Sequence, residues 1–190
     1  YADPVIGPGE LKIKVDSCGL CGGDTMEWYL VHKAPIVLGH EPTGVVAEVG
    51  QGVTAFKPGD RVFVHHHVAC MSCHYCRRGY FTMCEKLTQT HIYPGAFSEY
   101  VRVPADNVAH DVHRLPDSVS LEEGTLIEPM ACVVKALKIA GIQPGDTVAV
   151  VGSGFIGLGF IQLARVWGAG NVVAFDLVDW RLERGLELGA

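Results

Sequence analysis

The chain has 190 residues, of which 48% are hydrophobic and 19% are charged, so it holds enough apolar material for a globular core. Its formal net charge of −6 argues against nucleic acid or an anionic membrane surface as a partner. No apolar run reaches the roughly eighteen residues of a membrane span. The N-terminus has no secretory pattern, so we expect a cytoplasmic protein whose cysteines are reduced or bind metal.

The first part of the chain predicts a small all-β domain. Short apolar or alternating segments lie at residues 11–15, 44–49, 60–64 and 96–103, separated by glycine and proline. This spacing is typical of a β-barrel or sandwich. We assign the domain to residues 1–128, with a loop excursion at residues 69–84.

That loop carries four cysteines in a C-x2-C-x2-C-x7-C array: Cys70, Cys73, Cys76 and Cys84. Zn²⁺ accepts four thiolates in a closed tetrahedral site that leaves no position for chemistry, so the array predicts structural zinc. Two adjacent disulfides are an alternative that would strain so short a loop. A nucleic-acid-binding zinc ribbon usually has two separated knuckles in a basic domain, unlike this acidic chain.

The pattern changes to alternating helices and strands near residue 118. Ser120 and Glu123 have the spacing of a capping box at a helix start. Helices are predicted at residues 129–140, 154–168 and 180–188, and strands at 146–151 and 171–175. We assign residues 129–190 to part of a Rossmann-type, doubly wound parallel sheet in an α/β domain.

A glycine-rich turn joins the first of these strands to the next helix. Its G-x-G-x-x-G pattern predicts a dinucleotide site that includes Gly152, Gly154, Phe155, Ile156 and Gly157. The helix N-terminus that follows would face the phosphates. A glycine turn that only packs a helix against a strand is the alternative.

Asp176 ends the second strand, 24 residues after Gly152. A carboxylate there suits the adenosine ribose hydroxyls and would repel a 2′-phosphate, which favours NAD over NADP. Arg181, five residues further on, is included among the cofactor-binding candidates. The competing interpretation makes Asp176 a strand-end turn residue.

Three scattered groups offer the ligands of a second metal: Cys21, the pair His40 and Glu41, and Glu128. A cysteine, a histidine and a carboxylate can leave one open position, as catalytic zinc sites do. Spacing alone does not bring these residues together.

Several motifs together resemble the zinc-containing medium-chain alcohol and polyol dehydrogenases, including sorbitol and threonine dehydrogenases. They are residues 39–50 (GHEPTGVVAEVG), residues 58–62 (PGDRV), the four-cysteine array and residues 152–157 (GSGFIG). The resemblance implies a GroES-like β-barrel followed by a Rossmann domain, two zinc ions per chain, NAD and a homo-oligomer, either dimer or tetramer.

The resemblance also implies roles for the candidate ligands. Cys21 and His40 match catalytic zinc ligands, and Glu128 lies where the third ligand sits. Glu41 matches a residue that binds the metal in some members, so both acids stay as candidates. In such a site zinc lowers the pKa of a small alcohol or polyol, and hydride passes to the nicotinamide.

Two features depart from the family. Gly23 stands where a serine or threonine usually relays the substrate proton, with Thr25 as a possible substitute. Residues 146–190 number 45, whereas a six-stranded nucleotide-binding sheet needs about 150. We therefore expect a fragment, and the competing hypothesis is a non-catalytic zinc-binding module without turnover of its own.

Other candidate residues are assigned plainer roles. Cys18 is interpreted as a core or near-site thiol, and Cys132 as a buried helix residue. Residues 65–67 are three consecutive histidines, for which we expect a surface or loop-packing role, because neighbouring strand residues point to opposite faces.

Overall fold

Two nine-residue strands form the centre of the first half of the protein. The computed structural model describes residues 2–190, and the chain divides into two units between Ile127 and Glu128. The first unit contains a five-stranded antiparallel sheet in the order β4-β1-β2-β3-β5. The strands are β1 (Leu11–Gly19), β2 (Glu41–Val49), β3 (Arg61–Val64), β4 (Tyr100–Val103) and β5 (Val112–Arg114).

The core of this unit lies on one face of the sheet. Alternation places Leu11 and Ile13 of β1 on the same side, and both are fully buried. Residues from every strand join them: Val46, Val62, Val64, Val101, Val103 and Val112, together with Ile92 and Ala96 from the chain before β4. The β-structured first unit that the sequence predicts is confirmed, and its strands pair antiparallel.

Some strand ends differ from the prediction. The segment at residues 96–103 forms a strand only from Tyr100. Before it, the Ser98 hydroxyl lies within hydrogen-bond distance of the carbonyl oxygens of Gly95 and Tyr100, a local bonding pattern that differs from a strand ladder. The three-residue strand β5 was not predicted. It is too short to show alternation, and it is defined by its pairing with β3.

Short helices occupy the connections of the first unit. They are α1 (Glu27–Val31), α2 (Ala105–His110) and α3 (Leu121–Gly124). The predicted capping box is confirmed at α3, where the Ser120 hydroxyl accepts from Glu123 N and the Glu123 carboxylate accepts from Ser120 N. Two of the four unpaired N–H groups at the start of this helix region are thereby satisfied.

The second unit alternates helices and strands as predicted. It contains α4 (Ile127–Ala140), β6 (Thr147–Val151), α5 (Phe155–Val166), β7 (Asn171–Phe175) and α6 (Asp179–Glu187). The strands β6 and β7 pair in parallel, with Val148 opposite Val172 and Val150 opposite Ala174. This is the start of a Rossmann-like sheet.

Only one face of this strand pair is covered in the described residues. Val150 and Val172 pack with α4 and α5 in a core that also contains Val133, Leu137, Ile161, Ala164 and Ala169. On the opposite face Val151 is 85% exposed and Phe175 is 52% exposed. Burial on both faces, which the apolar sequence of β6 suggested, is therefore absent from the part of the chain described. In that same part, no helix is both long and apolar enough to cross a membrane.

Gly44 in β2 gives a test of the close packing in the first sheet. A Cβ atom there would overlap the backbone carbonyl of Lys14 on β1, whereas a Cβ at Gly22 would meet no atom within 4 Å. We expect Gly44→Ala to lower the free energy of unfolding by about 1–3 kcal/mol, as overpacking does. Urea unfolding measures this, with Gly22→Ala as the control. Equal stability of both variants would contradict the described β1–β2 approach.

Candidate metal and dinucleotide sites

The four cysteines of the array converge on one point. One sulfur atom from each lies within 4.8 Å of the others. The Sγ atom of Cys76 is 3.9 Å from that of Cys70 and 3.5 Å from that of Cys73. Tetrahedral zinc with bonds of about 2.3 Å separates its sulfur ligands by about 3.8 Å. The geometry of the described residues therefore fits a closed four-thiolate site.

Backbone N–H groups of the loop point at these sulfur atoms. Cys70 N donates to Cys84 Sγ at 3.3 Å, and Cys73 N donates to Cys70 Sγ at 3.3 Å. Hydrogen bonds from Ser72 and Cys73 lower the pKa of the Cys70 thiol to about 5, whereas burial raises that of Cys76 to about 12. Thiolates are the metal-binding form, so N–H groups that donate to these sulfur atoms favour metal binding.

The loop has little apolar material of its own. Its buried cluster consists of Ala69, Cys76 and Cys84, with Cys70, Cys73 and Leu87 partly buried beside them. Four of these six side chains are the predicted ligands. A metal ion would therefore supply much of the order of this loop.

A second cluster forms where β1 ends and β2 begins. Gly19, the last residue of β1, pairs with Glu41, the first residue of β2. Cys21 and His40 therefore lie close to the same end of this strand pair. Ligand atoms of Cys21, His40 and Glu41 all lie within 4.8 Å of one another. Sequence spacing could not bring these residues together, and the strand register does so.

Two glycines make room for this cluster. Gly39 has a φ of 90°, and a Cβ atom there would lie 2.7 Å from Phe97 N. A Cβ atom on Gly19 would overlap the Glu41 carboxylate. The side chain of Glu41 is buried, and it occupies space that any other residue at position 19 would take.

Asp24 lies on the other side of the His40 ring. Its Oδ2 is 3.6 Å from His40 Nδ1, its side chain is 5% exposed, and Oδ2 has no hydrogen bond in the described residues. On the opposite edge, His40 Nε2 is 3.9 Å from Glu41 Oε1. A proton on Nδ1 would face Asp24 and leave Nε2 free to bind a cation, the arrangement by which metal-binding histidines are usually oriented. Asp24 was not among the site residues that the sequence predicted.

The remaining candidates near this cluster are placed as follows. Cys18 is partly buried, burial raises the pKa of its thiol to about 11, and its Sγ is outside the ligand cluster. Thr25 donates its hydroxyl to Gly22 O at 2.8 Å and is exposed. Glu128 begins the second unit, so its role as a ligand remains a prediction.

Cys132, on α4 of the second unit, is exposed to solvent. The prediction that it is buried is therefore wrong.

The three consecutive histidines form a row of rings that the sequence analysis missed. The chain leaves β3 at Val64, so the strand alternation behind the earlier expectation ends there. The ring centroid of His66 is 5.0 Å from that of His40 and 4.0 Å from that of His67. Burial lowers the pKa of His66 to about 2, so its imidazole is neutral at pH 7.

The glycine-rich turn of the second unit has the conformation that its sequence predicts. Gly152 has a φ of 92°, and a Cβ atom on Gly157 would overlap Gly152 O, so both positions require glycine. Gly154 is the N-cap of α5, and Phe155 and Ile156 at the first turn are exposed. The free N–H groups of this helix end can receive an anion.

Asp176 holds the same turn. Its Oδ2 accepts from Ser153 N at 2.7 Å and its Oδ1 accepts from Val178 N at 2.9 Å. These backbone donors, with Ser153 first, lower the pKa of Asp176. Arg181 Nη1 is 3.8 Å from the carboxylate. The prediction that Asp176 binds a ribose is untested, and the residue also has a structural role that the sequence did not reveal.

Comparison with known proteins gives consistent matches along the chain. Residues 7–117 match the alcohol dehydrogenase GroES-like domain. Sorbitol dehydrogenase of Bacillus subtilis is 38% identical over 98% of this chain and 54% of its own length. D-xylulose reductase A of Aspergillus niger is 36% identical over 93% of this chain and 50% of its own length.

Solved structures share the fold of both units. A proposed zinc-binding dehydrogenase from Sinorhizobium meliloti 1021, bound to NADP, is 34% identical with a TM-score of 0.87, covering 100% of this chain and 55% of its own. The short chain alcohol dehydrogenase rspB from Escherichia coli CFT073, complexed with NADH, is 34% identical with a TM-score of 0.85. The match covers 98% of this chain and 55% of that protein's own chain. The chain spans about half the length of the curated relatives it matches. The family match covers more than half of the chain, and the chain therefore belongs to the alcohol dehydrogenases with a GroES-like domain.

Proposed function

We propose that this chain carries the metal-binding part and the start of the cofactor-binding part of a zinc-dependent, NAD-linked alcohol or polyol dehydrogenase. The observation that supports this most directly is the convergence of Cys21, His40 and Glu41, with Asp24 behind the histidine. Relatives named for sorbitol and xylulose favour a polyol as the substrate class. The proposed activity is inferred from relatives of which this chain spans about half the length.

The donor set suits zinc. One thiolate, one imidazole and one carboxylate form a mixed S, N, O set that leaves a position for a substrate oxygen. When bound, the metal would polarise an alcohol oxygen and lower its pKa. Cys21, His40 and Glu41 would hold it, with Glu128 as the alternative acid. Asp24 would hold the proton of His40 on Nδ1 and keep Nε2 available.

The second unit would supply the cofactor site. We propose that the turn at residues 152–157 and the N-terminus of α5 receive the pyrophosphate, and that Asp176 and Arg181 lie beside the adenosine ribose. Asp176 leaves lone pairs for a ribose hydroxyl after accepting its two backbone hydrogen bonds. The assignment of residues 1–128 and 129–190 to a catalytic domain and a nucleotide domain is part of the same proposal.

Metal stoichiometry tests the proposal. We expect the 190-residue chain to bind two zinc ions, because both cysteine-containing clusters fit the cation. Cys21→Ser should retain one ion, since it removes a ligand from only one cluster. Elemental analysis after gel filtration measures both. A single ion in the wild-type chain that survives Cys21→Ser would refute the catalytic site and favour a module with a structural metal only.

The stability of the first unit should depend on the four-cysteine metal. We expect Cys73→Ala to lower the melting temperature and to abolish one zinc, because metal binding provides about 10 kcal/mol or more in metal-dependent modules. Cys132→Ala is the matched control, since that thiol is exposed and outside both clusters. Unchanged melting of Cys73→Ala would show that the β-sheet core is stable without an ordered loop.

Cofactor choice should follow from Asp176. A phosphate beside this carboxylate would be repelled by about 1–3 kcal/mol, so we expect NAD to bind roughly tenfold or more tightly than NADP. Saturation-transfer NMR on the chain detects even weak binding of both. Asp176→Ala should narrow the difference mainly by weakening NAD. A preference of the wild-type chain for NADP would mean that Asp176 only stabilises the turn, through its hydrogen bonds with Ser153 N and Val178 N, and does not bind the ribose.

A further inference from the structure

A row of imidazole rings leads from the Cys21, His40 and Glu41 cluster toward the four-cysteine loop. His66 lies between two other rings: its centroid is 5.0 Å from that of His40 at an interplanar angle of 56°, and 4.0 Å from that of His67 at 52°. His65 adds a third contact at 4.9 Å. The His66 ring is therefore confined from several sides.

The contacts of His66 with His40 and His67 are contacts between rings. Its Nδ1 is buried and has no hydrogen-bond partner in the described residues. No nitrogen of His66 belongs to the group of ligand atoms within 4.8 Å of one another. This half-buried ring, with no hydrogen bond at Nδ1, contacts its neighbours by packing.

The far end of the row is anchored in the backbone. His67 Nδ1 is 2.7 Å from Thr90 O, and the Thr90 hydroxyl accepts from Val68 N at 2.9 Å and lies 3.2 Å from Leu87 O. Val68 and Leu87 flank the cysteine array on both sides. The position of the His67 ring therefore follows the base of that loop.

His40 is itself held loosely by polar contacts. Asp24 at 3.6 Å and Glu41 at 3.9 Å lie on its two edges, and both distances exceed that of a hydrogen bond. Edge contacts of this length leave the ring free to rotate unless another side chain also packs against it. The His66 ring, tilted by 56° with its centroid 5.0 Å away, supplies that packing contact.

We propose that His66 is a positioning residue, which fixes the ring plane of His40 for metal binding by packing between His40 and the loop-anchored His67. The inference rests on the metal site of the proposed function. It assigns to the four-cysteine loop an effect beyond local stability, because the loop base sets the position of the row.

A pair of substitutions separates ring packing from nitrogen chemistry. His66→Phe keeps a ring and removes both nitrogens, whereas His66→Asn keeps polar atoms and removes the ring. His110→Asn, at an exposed histidine on α2, is the control. One equivalent of Zn²⁺ fills the four-cysteine site, and titration with Co²⁺ then reports the second site by its absorption spectrum and by competition with a chelator.

We expect His66→Asn to weaken the second metal by about tenfold or more, the usual loss when a residue that orients a ligand is removed. His66→Phe and the control should bind close to the wild-type affinity with the wild-type Co²⁺ spectrum. The Zn²⁺ in the four-cysteine site should be unaffected in all three.

Each other result overturns the inference. Unchanged affinity of His66→Asn for Co²⁺ would show that metal binding by His40 does not need the packing contact with His66. Weaker Co²⁺ binding in both His66 variants would show that a nitrogen of His66 is required, as a ligand or as a hydrogen-bond partner. Loss of both metals in His66→Asn would show that His66 is needed for folding in general. A wild-type chain with one metal ion refutes the proposed function itself, before any variant is compared.

Discussion

The register of the β1–β2 ladder brings together the three side chains of the candidate second metal site. Gly19 pairs with Glu41, so Cys21 and His40 leave the sheet at the same end although the sequence separates them by a long connection. A slip by one residue would turn Glu41 to the opposite face and separate the three ligand atoms. The buried core residue Val46 of the same strand opposes such a slip, because the slip would also turn its side chain toward water.

The two clusters therefore depend on different kinds of order. The four-cysteine site is local, and its ligands come from one short loop with little apolar support. The Cys21, His40 and Glu41 cluster is built on a sheet whose core contains ten buried residues and no member of either cluster. Metal binding can order the loop, whereas the sheet can exist without a cation and present a nearly formed site. This difference agrees with structural metals that contribute to folding and catalytic metals that occupy a prepared position.

Features with local signals were the ones that the sequence predicted well. The capping box at Ser120, the glycine turn at residue 152 and the cysteine array each need residues close together in the chain, and the structure contains all three. The cluster of Cys21, His40 and Glu41 could be reached only through family resemblance, because its assembly depends on strand pairing. The ring row was missed for a related reason: strand alternation was extended past Val64, where the chain becomes irregular. The dual role of Asp176 was also hidden, since no pattern reports that its oxygens accept from Ser153 and Val178.

The uncovered face of the β6–β7 pair affects how this polypeptide behaves at high concentration. In the part of the chain that the structure describes, β6 and β7 pair only with each other, and the side chains of Val151 and Phe175 are exposed. An open edge next to an apolar face is a template for joining strands from other molecules. The net charge of −6 opposes that approach at low ionic strength, and salt screens the repulsion. Self-association of this polypeptide is thus expected to increase with protein concentration and with ionic strength.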